Sequence, residues 1–298
     1  MQSLCSIADH VRWAASRFSE AGLHFGHGTD NALDEAVALV LHTLSLPPDL
    51  SSNWFTCRLT EAEHIRVIER INQRIEQRIP LPYLTGEAWF AGLPFHVNEQ
   101  VLIPRSPIAE LIQQHFNPWI DAAEISHVLD LCCGSGCIGI ATAAYLEDCH
   151  VDLVDISSQA LAVAHENVIA HALDHRVSVI ESDLFRALPR KRYDLILSNP
   201  PYVGATEMAT LPQEYRHEPV LALQAEENGL EIVTRILQQA VDYLEPHGVL
   251  IVEVGNSADA LMQRYPEVPF VWLEFARGGE GVFVISAQEL SEFADQLQ

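Results

Sequence analysis

From residue 125 onward, short apolar segments alternate with longer segments of helical periodicity. This alternation predicts an α/β domain with a mostly parallel sheet covered on both faces, because parallel strands need long crossover connections. Residues 276–281 are too few for a crossover, so we expect the last strand to be antiparallel. The seven predicted strands are residues 127–131, 151–155, 177–181, 194–198, 249–253, 271–275 and 282–285. Helices are predicted at 138–146, 158–172, 229–243 and 258–264.

The first 80 residues carry apolar side chains at helical spacing instead. Helices are predicted over residues 8–18, 33–44 and 60–79. Thr60 and Glu63 have the spacing of a capping box, in which each side chain accepts a hydrogen bond from the other residue's backbone N–H. Prolines follow the second and third segments and should end them, because proline cannot continue a helix.

The residues between these two regions follow a third pattern. Residues 87–104 alternate as strands do, around a turn at Ala91-Gly92, and predict a β-hairpin. Residues 107–116 predict a helix that leads into the α/β region. We therefore expect a helical domain over residues 1–84, a β-hairpin linker over 85–106 and the α/β domain over 107–298.

The chain is strongly acidic. Its 298 residues include 41 Asp and Glu against 17 Lys and Arg, a formal net charge of −24, and Lys191 is its single lysine. Such a surface repels nucleic-acid phosphates, which proteins normally neutralise with Lys and Arg, and it attracts basic proteins. Charge alone also fits the simpler role of keeping the protein in solution. We expect no direct nucleic-acid binding.

Nothing in the sequence indicates export or membrane insertion. The N-terminus lacks the basic and apolar regions of a signal peptide, and no segment approaches the ~18 apolar residues of a membrane span. The six cysteines have neither the spacing of a disulfide framework nor paired metal-binding motifs. We expect a cytoplasmic protein with reduced thiols, no metal and no membrane association.

A glycine-rich turn, residues 130–137, joins the first strand of the α/β domain to its helix. Glycines there let the backbone approach a ligand at the carboxyl end of the sheet, although a plain turn remains possible. Asp155 ends the next strand, where a carboxylate can accept hydrogen bonds from ribose hydroxyls. Asp155 could instead cap the following helix, but Ser157 suits that role better. The pair predicts a nucleoside site that fits NAD and S-adenosylmethionine equally.

Asp183 follows the third strand of the α/β domain. Its carboxylate is suited to the adenine amino group, with apolar neighbours such as Leu184 against the ring. Taken alone, a solvated loop aspartate is the simpler interpretation.

The sequence Asn199-Pro200-Pro201-Tyr202 directly follows the fourth strand and is the most specific motif. The two prolines fix the backbone and donate no hydrogen bonds, so the Asn199 side-chain oxygen and the Pro200 carbonyl can converge as acceptors. A planar NH₂ group offers two donors, and Tyr202 can stack on its plane. The motif therefore selects a conjugated NH₂ group, either a side-chain amide or the exocyclic amine of a base, and a plain turn is the alternative.

This geometry suits methyl transfer from S-adenosylmethionine, whose sulfonium activates the methyl group. An amide nitrogen is a poor nucleophile, and accepting both of its N–H bonds returns electron density to it and directs it at the methyl carbon. Such alignment is worth up to ~7–11 kcal/mol. Hydrogen bonds that strengthen as charge develops on nitrogen add further stabilisation. No strong base is required.

With these residues, the chain resembles the protein glutamine N5-methyltransferases, the HemK/PrmC-like family, over nearly its whole length. Within the family it is most similar to the PrmB-like branch, which modifies large-subunit ribosomal protein L-three. The similar stretches are residues 27–31, 103–108, 213–219 and 253–257. Release-factor methyltransferases of the family usually carry Pro-Arg-Pro-x-Thr-Glu at residues 104–109, and the departure here favours the ribosomal substrate.

The resemblance implies a Rossmann-like methyltransferase domain behind an N-terminal helical substrate-recognition domain. It also implies cofactor binding by Gly134, Ser135, Gly136, Asp155 and Asp183. Cys132 stands where the family usually has the first glycine of the turn, so its φ must stay negative or the site must tolerate its side chain. The full candidate set for the cofactor adds Asp130, Cys132, Ile156, Leu184 and Asn199. The glutamine amide is expected against Asn199, Pro200, Pro201 and Tyr202, with Asn199, Pro200 and Tyr202 catalytic.

Three other functions use similar residues. An adenine N6-methyltransferase would hold the same kind of NH₂ group, but it needs a basic surface for phosphates, which this chain lacks. A release-factor methyltransferase would differ only in its partner. A non-catalytic binding module would have no use for the acceptor geometry of Asn199 and Pro200.

Overall fold

The computed structural model describes residues 4–297, so the expected domain limits at residues 1 and 298 lie outside the described residues. The chain divides into two units, Met1–Ala88 with Pro212–His217, and Trp89–Leu211 with Glu218–Gln298. The short segment Pro212–His217 was not expected to join the helical region. In the part of the chain described, no helix combines the length and the hydropathy that crossing a membrane requires.

The first unit is helical because its apolar side chains recur on one face of each segment. Its helices are α1 (Ile7–Glu20), α2 (Ala32–Thr43), α3 (Glu61–Gln77) and α4 (Leu81–Thr85), with 3₁₀ turns at Ser52–Thr56 and Gln213–His217. The predicted capping box of Thr60 and Glu63 is present at the start of α3. Phe18, Leu39 and Ile71 are fully enclosed in the core between the helices.

Buried charges connect the segment Gln213–His217 to these helices. The Arg74 guanidinium donates to Glu35 at 2.6 Å and to Glu214 at 3.2 Å, and the side chains of all three residues are at most 2% exposed. Arg74 also donates to the His24 carbonyl at 2.9 Å. Burial raises the pKa of Glu214, but bonds from the His24 N–H and from Arg74 outweigh burial and leave it below its usual value.

The predicted β-hairpin is present as β1 (Glu87–Phe90) and β2 (Leu93–His96). Its two turn residues, Ala91 and Gly92, both have positive φ, which is the turn geometry that matches the twist of paired strands. The boundary between the two units falls inside β1, after Ala88. In the second unit, Asn167 both accepts a hydrogen bond from the His96 N–H and donates to its carbonyl, which fixes the end of β2.

The main sheet of the second unit contains seven strands within the described residues. They are β3 (His127–Leu131), β4 (His150–Asp155), β5 (Val177–Glu181), β6 (Tyr193–Ser198), β7 (Leu244–Glu253), β8 (Val271–Trp272) and β9 (Val282–Ser286). The strand order is β5-β4-β3-β6-β7-β9-β8. Pairs among β3 to β7 are parallel, and β9 runs antiparallel to both neighbours, as the short connection before it predicts. The expected α/β class is therefore confirmed.

Helices surround this sheet, and apolar residues fill both of its faces. They are α5 (Ile108–Gln113), α6 (Cys137–Tyr145), α7 (Ser158–Ala170), α8 (Ala205–Met208), α9 (Val220–Leu223), α10 (Glu226–Gly229), α11 (Glu231–Ala240), α12 (Ala258–Arg264), α13 (Ala287–Glu292) and α14 (Ala294–Leu297). Short 3₁₀ turns lie at Ala122–Glu124 and Gly255–Ser257.

Several predicted boundaries were wrong because left-handed residues stop a helix. His115 and Phe116 have positive φ, so α5 ends at Gln113 instead of residue 116. Ala172 likewise lies outside α7, and Gly229, with φ 88°, lies outside α11. The sheet differs as well, because β7 begins at residue 244 instead of 249 and β8 ends at residue 272 instead of 275.

The strand order creates a switch point beside β3. From β3 the chain moves outward through β4 and β5, then returns to the other side of β3 through β6 and β7. Connections therefore leave the carboxyl ends of β3 and β6 in opposite directions and open a crevice there, where ligands of such sheets bind. The glycine-rich turn follows β3 and the Asn-Pro-Pro-Tyr motif follows β6, so both predicted motifs lie at this crevice.

Candidate active site

The turn between β3 and α6 is built from left-handed residues. Cys132, Gly134 and Gly136 have φ of 58°, 55° and 77°. The possibility that Cys132 keeps a negative φ is therefore wrong, and the turn tolerates a side chain in a conformation that costs about 1–2 kcal/mol. At Gly136 a Cβ atom would lie 2.9 Å from a Leu153 methyl carbon, so glycine is needed there for both conformation and space.

Asp155 ends β4 and connects that strand to the glycine-rich turn. Its Oδ2 accepts a hydrogen bond from the Gly134 N–H and its Oδ1 accepts one from the Ser157 N–H, both at 2.9 Å. Burial raises the pKa of Asp155, and these backbone bonds act in the opposite direction. Ser157 is the side-chain cap of α7, as predicted, so the Asp155 carboxylate is left facing the crevice.

Asp130 lies beneath the same turn and is completely buried. Its Oδ2 accepts a hydrogen bond from the Gly139 N–H at 2.8 Å, in the first turn of α6. Burial raises the pKa of Asp130 to about 7, and the nearby Asp155 charge adds to the increase. Asp130 was predicted to contact the cofactor, but this geometry makes it a support for α6.

Asp183 has a cationic partner that was not predicted. Arg235 of α11 donates from Nη2 to Asp183 Oδ1 at 2.6 Å, and both side chains are about one third exposed. Both residues line the crevice. The pair is separated by 52 residues in sequence, so no local pattern could indicate it.

A cavity of about 320 Å³ occupies the crevice. Among the predicted residues, its wall includes Cys132, Gly134, Ser135, Asp155, Ile156, Asp183, Leu184, Asn199 and Pro201. Asp130, Gly136, Pro200 and Tyr202 were predicted as site residues but do not line it. The wall also includes residues to which the sequence assigned no role, among them Arg105, Ser106, Leu221, Glu231 and Arg235.

Hydrogen bonds to neighbouring segments fix both ends of the Asn-Pro-Pro-Tyr turn. The Ser198 hydroxyl donates to the Leu131 carbonyl at 2.8 Å and so fixes the end of β6 beside β3. The Tyr202 hydroxyl donates to Glu253 Oε1 at 3.1 Å, and the Tyr202 carbonyl accepts from the Ser257 hydroxyl at 2.9 Å. The expected stacking of Tyr202 on an amide stays a prediction.

The cysteines near the turn are protonated thiols. Burial raises the pKa of Cys137 to about 12 and the pKa of Cys132 and Cys133 well above the usual value. Between residues 4 and 297, no three His, Cys, Asp or Glu side chains are grouped as metal ligands would be. Because their pKa values are raised, these thiols stay protonated and pack as small side chains.

The polar groups of the cavity fit S-adenosylmethionine. The carboxylates of Asp155 and Asp183 are placed to accept hydrogen bonds from hydroxyl and amino groups, and Ile156 and Leu184 offer apolar contact for a flat base. The volume of about 320 Å³ falls within the range of small-molecule sites. Acidic groups in the wall also suit the positive charges of a sulfonium and an amino group.

Comparison with known proteins agrees with this geometry. Residues 110–214 match the methyltransferase small domain. The chain is 48% identical to the ribosomal protein uL3 glutamine methyltransferase of Francisella tularensis, over 100% of this chain and 95% of that protein. It is 50% identical to proteins of the same name from Xylella fastidiosa Temecula1, with 99% and 94% coverage, and Xanthomonas campestris, with 96% and 93%.

Solved structures support the fold. The hMettl16 catalytic domain in complex with MAT2A 3′UTR hairpin 6 has a TM-score of 0.55 and 18% identity, covering 83% of this chain and 92% of that chain. The same domain with hairpin 1 has a TM-score of 0.51 and 16% identity, with 93% and 91% coverage. At this identity the similarity bears on the Rossmann-like methyltransferase fold alone.

Proposed function

The chain belongs to the family of ribosomal protein uL3 glutamine methyltransferases, and from this premise we propose that it methylates the side-chain amide nitrogen of a glutamine in ribosomal protein uL3, the large-subunit protein L-three. Its cofactor is S-adenosylmethionine. One observation carries the proposal: Asn199 and Pro201 line the same cavity as Asp155 and Asp183. The acceptor for a planar amide therefore shares one cavity with the carboxylates suited to a nucleoside.

The residues of the cavity divide between cofactor and substrate. We assign the ribose hydroxyls to Asp155, whose carboxylate lines the cavity and is held in place by backbone N–H groups. We assign adenine binding to Asp183, Ile156 and Leu184. At Gly134 and Ser135 we expect the backbone itself to lie close to the cofactor. Arg235 holds the Asp183 carboxylate in one orientation through its 2.6 Å bond.

The cofactor supplies a methyl group on a sulfonium, which is already activated for transfer to a nucleophile. The Asn199 side-chain oxygen and the Pro200 carbonyl accept the two amide N–H bonds, and Tyr202 stacks on the amide plane. These contacts fix the orientation of the nitrogen and increase its electron density, a positioning effect worth up to ~7–11 kcal/mol. The nitrogen releases its extra proton to water after transfer, because a protonated N-methylamide is a strong acid and needs no strong base.

The charge of the chain fits a basic protein substrate. A net charge of −24 with a single lysine attracts a basic protein and repels a phosphate backbone. We propose that the helical unit recognises uL3, and a protein that modifies ribosomal proteins is expected to work in the cytoplasm. The similarity to hMettl16 does not extend the proposal to RNA, because it bears on the fold alone.

The test is mass spectrometry of purified uL3 after incubation with the enzyme and isotopically labelled S-adenosylmethionine. We expect one labelled glutamine, and no label in a release factor or in DNA. Asn199→Ala should lower kcat by roughly 100-fold or more, as for loss of one oriented catalytic hydrogen bond, with cofactor affinity within a few fold. Asn53→Ala, an exposed asparagine, is the matched control. Unlabelled uL3, or full activity of the Asn199 variant, would contradict the proposal.

A further inference from the structure

Glu253 is a buried carboxylate that connects two segments of the active site. It is the last residue of β7 and is 6% exposed. Its Oε1 accepts a hydrogen bond from the Tyr202 hydroxyl at 3.1 Å, and its Oε2 accepts one from the Ser106 hydroxyl at 2.5 Å. One carboxylate therefore joins the Asn-Pro-Pro-Tyr turn to the segment that contains Ser106.

Both partners of Glu253 belong to the surroundings of the cavity. Ser106 lines the cavity, and Tyr202 directly follows Pro201, which lines it as well. Glu253 itself is not part of the wall. The two hydrogen bonds of Glu253 therefore connect it to the cavity through the positions of Ser106 and Tyr202.

The environment of Glu253 is costly for a carboxylate. Its hydrogen bonds come from two neutral hydroxyls, while the nearby Arg105 guanidinium donates from Nη1 and Nη2 to Glu218. Burial raises the pKa of Glu253, and the two hydroxyls and Arg105 act against burial. An apolar residue would avoid this cost, so the carboxylate is better explained by the two groups that it holds.

The ring of Tyr202 is confined on its other sides. A Cβ atom at Gly255 would lie 2.5 Å from Tyr202 Cε2, so this ring packs directly on the backbone after β7. The Ser257 hydroxyl holds the Tyr202 carbonyl at 2.9 Å. The bond to Glu253 fixes the hydroxyl at the end of the ring.

We propose that Glu253 is a positioning residue for methyl transfer, holding the Tyr202 ring and the Ser106 hydroxyl in the orientation that the planar amide requires. The inference rests on the proposed role of the Asn-Pro-Pro-Tyr turn in binding that amide. It predicts that Glu253 and Tyr202 act as one unit. Removing either end of their hydrogen bond should have the same effect as removing both.

The experiment compares the full-length wild type with Glu253→Gln, Tyr202→Phe and the double variant. We expect each single variant to lower kcat by about 10- to 100-fold, because a small misplacement at a reacting centre has effects of this size. The kcat of the double variant should be no lower than that of the less active single variant. The KM for S-adenosylmethionine should stay within a few fold of the wild-type value. Glu253→Asp keeps the charge but retracts it, so its kcat should stay low as well.

Controls separate positioning from folding. Glu267→Gln removes an exposed carboxylate of the same unit and should leave kcat unchanged. NMR of selectively labelled tyrosine, with the Tyr202 signal assigned through Tyr202→Phe, reports the ring without any turnover. We expect a single restrained ring in the wild type and averaged ring signals in Glu253→Gln.

The outcomes decide the inference whether or not uL3 is the substrate. Independent, multiplying losses in the double variant, or an unchanged Tyr202 ring signal in Glu253→Gln, would overturn the role of Glu253. If Glu253→Gln does not fold, a wild-type kcat in Tyr202→Phe would also overturn the role of Glu253. If the wild type methylates another substrate, the proposed function fails while the same comparison on that substrate still tests Glu253.

Discussion

At the scale of single residues, buried carboxylates do most to shape the second unit. Asp130 holds the Gly139 N–H in the first turn of α6, where a helix exposes backbone donors and favours negative charge. The N-cap residue before that helix, Gly136, has no side chain to cap it. Asp130 therefore supplies from β3 the cap that the local sequence of α6 lacks.

The pH dependence of stability should reveal this carboxylate. The folded pKa of Asp130 is about 7, above the unfolded value of 3.8, so the native state holds the proton more tightly. The stability that comes from protonated Asp130 is present at acid pH and is lost as the pH rises from about 4 through 7. Urea unfolding measures the free energy of unfolding at each pH. Between pH 5 and 8.5, this free energy should fall by roughly 2–4 kcal/mol less in Asp130→Asn than in the wild type. Asp174→Asn, at an exposed site, is the control, and parallel curves for Asp130→Asn and wild type would refute this role.

At the scale of elements, the helices of the first unit are held by one charged group in their core. Arg74 of α3 serves Glu35 of α2 and Glu214 of the turn Gln213–His217. Both carboxylates pair with the Arg74 guanidinium, and Arg78 adds a second, more distant cation at 3.5 Å from Glu214. Such buried pairs add little net stability when intact but cost much when one member is removed.

Arg74→Met should lower stability by about 3–5 kcal/mol, because it leaves the buried Glu35 without its arginine and Glu214 with only the 3.5 Å contact to Arg78. Thermal unfolding followed by circular dichroism would measure the loss. Arg70→Met changes an exposed arginine on the same helix and should leave the melting temperature nearly unchanged. Adding Glu35→Gln and Glu214→Gln to Arg74→Met should recover part of the stability. No recovery would mean that packing, not charge, explains the loss.

At the scale of the whole molecule, the excess of acidic residues is the dominant property. A net charge of −24 produces a field that extends beyond any single contact and accelerates encounter with a basic protein. The same field slows encounter with nucleic acid. The net charge therefore favours basic partners during encounter, before a substrate reaches the active site.

The kcat/KM for uL3 should fall by about 10-fold or more as NaCl rises from roughly 20 to 300 mM, because salt screens the attraction. The kcat at saturating uL3 should change little, since the chemical step occurs inside the cavity. Steady-state kinetics at several salt concentrations would measure both values. A kcat/KM that does not depend on salt would mean that the acidic surface plays no part in binding uL3.

Local features were predictable from the sequence, and distant pairings were not. The capping box at Thr60, the cap at Ser157 and the Ala91-Gly92 turn each depend on residues within a few positions. The pairs Asp183–Arg235, Tyr202–Glu253 and Arg105–Glu218 join residues 51 to 113 positions apart. No spacing rule indicates such pairs, because only the folded sheet brings them together. Cys132 is a local feature that was only partly predicted. Its place in the glycine-rich turn was recognised, but its left-handed backbone was not.

The chain contributes to the helical unit twice, first with its opening residues and again with Pro212–His217. A catalytic fragment made by deleting the first 88 residues would carry Glu214 without Arg74 and Arg78, the two cations that pair with it. Exchange of the helical unit between relatives would likewise have to transplant two separate stretches at once. Because of this interleaving, recombination at a single junction would leave the recipient's own Pro212–His217 beside a foreign set of helices.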